Sequence, residues 1–225
     1  LAAALFLWLT PRARGFVPGR LRVDRDPGIL EKLRAPLRSS LQWALYAQGF
    51  LLMGAFVAVY NYLGFHLSAE PFALPAWLVP LLFLVYLAGT ASSPWAGALA
   101  SRIGRFPVLL SSIGVMAAGA VLLLVPMVAI VLPGLVLFTA GFFGAHAIAS
   151  GWTPVAAGPA SRAQASSLYY FAYYAGSSLF GWMLGLVFGA ASWGWFVAVI
   201  VGMCAAAALA AFSALRRASS GQSSA

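Results

Sequence analysis

Gly97-Ala98-Leu99-Ala100-Ser101-Arg102-Ile103-Gly104-Arg105-Phe106-Pro107 is the stretch on which the fold turns. It sets two arginines between stretches, 71–101 and 106–161, that carry no Lys, Arg, Asp or Glu. Gly104 is free to take positive φ, and Pro107 suits the first turn of a helix because its missing N–H costs nothing there. The spacing therefore predicts a tight basic hairpin between two long apolar helices.

Outward from this hairpin the pattern repeats. Uncharged stretches, divided by Pro/Gly clusters and short polar patches, predict helices at about 41–66, 72–98, 106–125, 129–150, 165–188 and 191–213. Each is about 20 residues or longer, the length that crosses a hydrocarbon core. Strands of a membrane barrel would alternate apolar and polar, which runs such as VLFTAGFFGAHAIA do not. The composition agrees: of 225 residues, 63% are hydrophobic and 8% charged, too few charges to clothe a soluble domain of this size. With a mean hydropathy of +0.93, lipid is the solvent for most of the chain. The lone Cys204 excludes a disulfide framework and a cysteine-built metal site. No cofactor is expected.

The thirteen basic residues orient the helices. Eight, from Arg12 to Arg38, precede the first span; Arg102 and Arg105 follow the second, Arg162 follows the fourth, and Arg216 and Arg217 follow the sixth. The connections around Ser68–Pro71, Pro126–Ala129 and Gly189–Ser192 carry none. All positive charge thus falls on one side, which the positive-inside rule makes cytoplasmic, with the C-terminus there too. The net charge of +9 then reflects orientation and attraction to anionic lipid, and nucleic acid is not an expected partner.

Residues 1–10 are almost wholly apolar but reach only half-way across a bilayer. They are expected to be the end of a truncated transmembrane helix, making the chain a fragment that lacks an N-terminal half. Residues 11–40 are expected to form a cytoplasmic connecting loop, with Asp26-Pro27 starting a short amphipathic surface helix through Ile29, Leu30 and Leu33. Residues 41–213 form the six-helix bundle, and residues 214–225 a cytoplasmic tail, Ser-rich and disordered from 218. Spans 41–125 and 129–213 are equally long, and three helices per unit require the second triplet to be inverted relative to the first. The expected fold is an all-α membrane protein of two inverted three-helix repeats.

Gly97, Arg102, Gly104 and Arg105 match the signature loop of the major facilitator superfamily (MFS), Gly-x-x-x-Asp-Arg-x-Gly-Arg-Arg, in what resembles its second copy. Ser101 stands where the motif has its acid, and Phe106 where it has a second basic residue, which puts a charge latch in doubt while leaving Ser101 able to cap a helix end. GFLLMGAFVAVYNYLGF, YLAGTASSPWAGALASRIGR, FTAGFFGAHAIAS and SRAQASSLYYFAYYAGSS extend the resemblance to the C-terminal half of bacterial inner-membrane transporters of the arabinose-efflux-permease-like type. The resemblance implies twelve helices in two bundles, a central cavity, alternating access and proton-driven efflux of a small molecule. It also implies that 1–10 ends the sixth helix and 11–40 links the halves.

Polar residues at bilayer depth are costly and become candidates for the substrate path. Gln48 and Asn61 lie on the first span and His146 on the fourth, each with helix–helix hydrogen bonding as the competing role. On the fifth span Ser166, Tyr170, Tyr173, Tyr174, Ser177 and Ser178 keep one face polar and aromatic, while Tyr169 and Tyr170 also suit an interfacial belt. Ser177, Gly181, Gly185 and Gly189 are read as a packing seam. The expected cavity residues are Gln48, Asn61, His146, Tyr170, Tyr174 and Ser178. The acids Asp24, Asp26, Glu31 and Glu70 all lie outside the spans, so a proton-relay carboxylate is expected in the missing half. Two other classes stay open: a complete six-helix transporter working as a homodimer, and an intramembrane serine protease. The protease is disfavoured because His146 precedes the candidate Ser177 and no acid completes a triad.

Overall fold

The structure is a computed structural model that describes residues 28–220, without the side-chain surroundings of residues 29 and 215–220. The expected truncated helix at 1–10, the Asp26-Pro27 helix start and residues 221–225 lie outside the described residues. A short helix α1 (Ile29–Leu37) is followed by α2 (Ser40–Ser68), a 3₁₀ segment (Ala76–Val85) continuing as α3 (Tyr86–Ile103), α4 (Arg105–Leu122), α5 (Val128–Ala157), α6 (Arg162–Ala190) and α7 (Trp193–Ser220). Six of these units, with 3₁₀ and α3 counted as one, are long and apolar enough to cross a membrane.

Several boundaries differ from expectation for local reasons. The second span begins as a 3₁₀ helix because Pro75 and Pro80 interrupt α-helical bonding, and it runs on to Ile103. Helix α5 continues through Pro154 to Ala157, past the expected end at 150. Helix α4 stops at Leu122, where the turn before Pro126 begins. Helix α7 extends to Ser220, into the segment expected to be a disordered tail. The hairpin is as tight as its sequence predicts: Gly104, at φ +92°, is the single residue between α3 and α4. Ser101 does not cap an N-terminus; it donates to the Ala98 carbonyl at 2.7 Å within α3.

Cross-links at both ends fix the alternation of the helices. At the basic end Gln42, in the first turn of α2, donates to the Thr153 carbonyl near the end of α5 at 2.9 Å. At the opposite end Trp193 opens α7, stacks on His66 at 4.1 Å and donates to the Leu123 carbonyl just past α4 at 2.8 Å. Helix α2 packs on α6 and α7, and α5 packs on α3 and α4, while α2 and α5 meet at the centre. Exchanging the triplet α2-α3-α4 with α5-α6-α7 maps these pairs onto one another, the arrangement of inverted repeats.

Glycines set the closest approaches. A Cβ on Gly176 of α6 would collide with the Phe50 carbonyl of α2, and one on Gly141 of α5 with the Met116 backbone of α4. Along the α2–α6 seam Gly49 faces Tyr169, Gly54 faces Phe180 and Gly185 faces Tyr62. The seam therefore runs through Gly176, Gly181 and Gly185; Ser177 is only half-buried and Gly189 meets open space, so the expected four-residue repeat is displaced by one position at its start and ends early. Replacing Gly176 by Leu is expected to lower stability by about 1–3 kcal/mol through overpacking. Gly97→Ala, where a Cβ meets nothing, should leave it unchanged or raised. Thermal unfolding of the purified protein in detergent checks both, and an unchanged midpoint for Gly176→Leu would contradict the seam.

Candidate functional site: an aromatic and histidine face

The central aromatic assembly is drawn from four of the six spans. From α2 come Phe56 and Tyr60; from the second span Phe83 and Tyr86; from α5 Phe138, Phe142, Phe143 and His146; from α6 Tyr169, Tyr170, Tyr173 and Tyr174. The rings are continuous. Phe56 stacks on Phe142 at 4.0 Å between centroids, Phe142 leads to His146 at 5.9 Å, and His146 meets Tyr173 at 4.9 Å. On the other side Phe143 leads to Tyr86, which adjoins Tyr60 at 4.8 Å. Offset and edge contacts of this kind hold their geometry better than aliphatic packing does.

Two hydrogen bonds pin the assembly. His146 Nδ1 and the Tyr169 hydroxyl lie 3.0 Å apart, joining α5 to α6. The Tyr60 and Thr139 hydroxyls lie 2.7 Å apart, joining α2 to α5. Where no water competes, each such bond satisfies groups that would otherwise be stranded. Tyr169 is 1% exposed, its ring seated over Gly49. It is buried where an interfacial belt residue would lie in the headgroup region, and it is the site residue the sequence did not single out. The signal was Gly49, but nothing in a single sequence pairs a glycine on one span with a tyrosine on another.

Helix α6 carries two unlike exposed stripes. Tyr170, Tyr174 and Ser178, spaced at one turn, are exposed on the side that adjoins His146. Leu179 and Leu186 form the other stripe, apolar, while Phe171 and Trp182 share a helix face with Ser178 at the boundary between the two. Tyr173 and Ser177, expected on the polar face, are half-buried and turned inward. The structure thus brings His146, Tyr170 and Tyr174 together, with Ser178 one turn beyond.

Gln48 and Asn61 are placed elsewhere. Gln48, 1% exposed, donates through Nε2 to the Ala44 and Ala207 carbonyls at 3.1 and 2.9 Å, tying α2 to α7 at the back of the bundle. Asn61 is exposed beside Gly181, well along α2 from His146's partners. The signature-loop residues line a separate cavity of about 610 Å³ at the basic end: Gly97, Ser101, Arg102, Gly104 and Arg105 from the hairpin, with Ile148, Gly151 and Trp152 from α5 opposite. Among the described residues no group of three or more His, Cys, Asp or Glu side chains is placed to hold a metal ion.

The family model described as Major Facilitator Superfamily matches residues 1–181. The chain is 41% identical over 205 residues to the inner membrane transport protein YnfM of Escherichia coli, covering 89% of this chain and 48% of that protein. It is 36% identical over 193 residues to the MFS-type transporter YybF of Bacillus subtilis, covering 86% and 47%. A transporter of Buchnera aphidicola is 35% identical over 181 residues, covering 80% and 43%. The chain spans about half the length of the curated relatives it matches. No solved structure matches.

The His146–Tyr169 bond should be measurable as coupling. In a cycle of Tyr169→Phe and His146→Leu, thermal unfolding should show an interaction energy of about 1 kcal/mol. Additive effects would mean that the bond does not form.

Proposed function

Because the chain belongs to the Major Facilitator Superfamily, we propose that its six spans form one half of a transporter that carries a small organic molecule by alternating access, in the direction of efflux, with protons as the coupling ion. The partner half is a second six-span bundle of the same polypeptide, and the membrane is the bacterial inner membrane with the basic end cytoplasmic. Membership and the six apolar spans make the chain an integral membrane protein of a transporter family. The direction, the ion and the second half are part of the proposal.

One observation carries it: Tyr170, Tyr174 and Ser178 are exposed on α6, with Tyr170 beside His146, while the exposed stripe through Leu179 and Leu186, round the helix from the tyrosines, is apolar. A helix bathed in lipid on both stripes has no use for two exposed tyrosines and a serine at mid-span. Facing a water-filled cavity, their rings stack on an organic substrate and their hydroxyls bond its polar groups. His146 and Tyr169 form a two-member hydrogen-bonded unit beside that face, suited to sense or pass a proton as the cavity hydrates. Gln48 serves as a tie to α7 in this scheme. Asn61 serves at the far end of the path.

The signature hairpin acts as the hinge stop at the basic end. With Ser101 in the acid's position it supplies only positive charge, so it biases the conformational equilibrium through contacts made by Arg102 and Arg105.

Three variants are read in everted membrane vesicles from cells expressing the full-length gene. With respiration on and a pH-sensitive dye present, a panel of aromatic compounds should include some that discharge the proton gradient, and His146→Leu should abolish that discharge. Tyr174→Ala should raise the KM for such a compound about 3- to 30-fold, the loss of about 1–2 kcal/mol of ring contact. Absence of compound-dependent proton movement across the panel would remove proton coupling from the account. Arg102→Ala with Arg105→Ala should slow transport without reducing membrane insertion, and unaltered transport would exclude the hairpin's role.

A further inference from the structure

The second span opens with a helix type that is unusual at its length. Ala76–Val85 is ten residues of 3₁₀ helix running directly into α3, whereas 3₁₀ runs beyond about three or four residues are uncommon because their hydrogen bonds are poorly aligned and their side chains eclipse. We propose that this segment is a two-state cover for the outer end of the aromatic assembly, the end opposite the basic hairpin. As a 3₁₀ helix it holds Phe83 over Tyr60, and conversion of its second half to α-helix swings Phe83 away. The conversion belongs to the span itself; only what the opening admits rests on the substrate path proposed above.

The period of the sequence is the first observation. Val79, Leu82 and Val85 are half-buried on the side of the bundle, and a Cβ on Gly64 of α2 would meet the Val79 side chain. Leu78, Leu81 and Leu84 make a second row, of which Leu81 and Leu84 are exposed. Trp77, Pro80, Phe83 and Tyr86 make the third. Residues three apart share a line only at three residues per turn. In an α-helix each such row would wind off line by about 60° for every three residues, and Val79 would leave Gly64.

The second observation is what the third row covers. The Phe83 ring lies 5.6 Å from that of Tyr60 and stacks on that of Tyr86 at 5.8 Å, with more than half of its surface exposed. Tyr60 and Tyr86 are the outer rings of the assembly, which continues inward through Phe143 and Phe142 to His146. Phe83 thus closes the ring path at its outer end, and its position is set by the helix type of a single segment.

The third is Pro80, which opens both helix types to the same chain. Inside a 3₁₀ helix it forgoes one hydrogen bond; in the first turn of an α-helix its missing N–H costs nothing and its φ is already set. Helix α3 supplies the template. It can lengthen toward Pro80 by exchanging three-residue bonds, such as the Tyr86 N–H to the Phe83 carbonyl, for four-residue bonds, each step adding to a helix already nucleated. Relative to Tyr86, Phe83 then turns by about 60° and draws in by about 1.5 Å, which carries its ring off Tyr60. The Val79 contact with Gly64 favours the 3₁₀ form and the better-aligned bonds favour the α form.

Nitroxide scanning of Ala76–Val85 in the full-length protein, with Cys204→Ala as background and the protein in liposomes, reads the helix type from collisions with membrane-dissolved oxygen. Accessibility should recur every three residues, with maxima at Leu81 and Leu84. Pro80→Ala, which lets α-helix run through the whole segment, should move the recurrence to about 3.6 residues. In that variant Tyr60→Cys should react with a membrane-impermeant maleimide from the outer side about tenfold faster. Phe83→Ala should raise the same rate with the three-residue recurrence intact, because it removes the cover and leaves the helix. Recurrence at 3.6 residues before any change at Pro80, recurrence at three in Pro80→Ala, or a Tyr60→Cys rate that neither variant raises would each overturn the proposal. A rate raised by Phe83→Ala but not by an α-helical Pro80→Ala protein would make Phe83 a fixed lid and overturn the two-state cover. No transported compound enters these readings, so a failure of proton coupling or of substrate contact at Tyr174 is told apart from a failure here.

Discussion

The bundle depends on how closely the backbones of α2 and α6 approach. At Gly176 there is no room for a side chain against the Phe50 carbonyl, and Tyr62 donates across the same seam to the Gly181 carbonyl at 2.8 Å. In lipid no hydrophobic force draws helices together, so shape and hydrogen bonding must. This contact fixes the rotation of α6 about its own axis. Once Gly176 is against α2, Tyr169 must point into the bundle toward His146, and Tyr170, Tyr174 and Ser178 must point out on the adjoining side.

The rest of the polar chemistry follows from the cost of stranded groups at bilayer depth. Gln42, Gln48 and Trp193 each donate to a carbonyl of another element, and the Tyr60 and Thr139 hydroxyls pair across α2 and α5. These ties lie between helices, whereas the polar stripe of α6 is left open. Third and sixth spans, α4 and α7, contribute no ring to the continuous aromatic assembly around His146 described above; they close its back. The proposal places the substrate path along this open polar face of α6.

Much of this was legible in the sequence because it is local. Hydropathy gives six spans irrespective of their partners, and Gly104 between two arginines gives the hairpin and its positive φ. What escaped is non-local. Tyr169 reads as a belt residue until Gly49 is known to lie opposite, and Gln48 reads as a cavity residue until Ala207 is found beside it. The four-residue glycine spacing indicated a seam but not its register, which Phe50 on another helix decides. The 3₁₀ start of the second span was hidden because Pro80 is compatible with several continuations, and packing selects among them.

The central claim is that α6 turns Tyr170 and Tyr174 toward water and Leu179 and Leu186, on its other side, toward lipid. Cys204 is buried, so Cys204→Ala provides a background for single cysteines at the four positions, labelled in intact membranes with a membrane-impermeant maleimide. Tyr170→Cys and Tyr174→Cys should react, and Leu179→Cys and Leu186→Cys should stay unlabelled. Labelling at all four positions alike, or only at the apolar pair, would contradict the account.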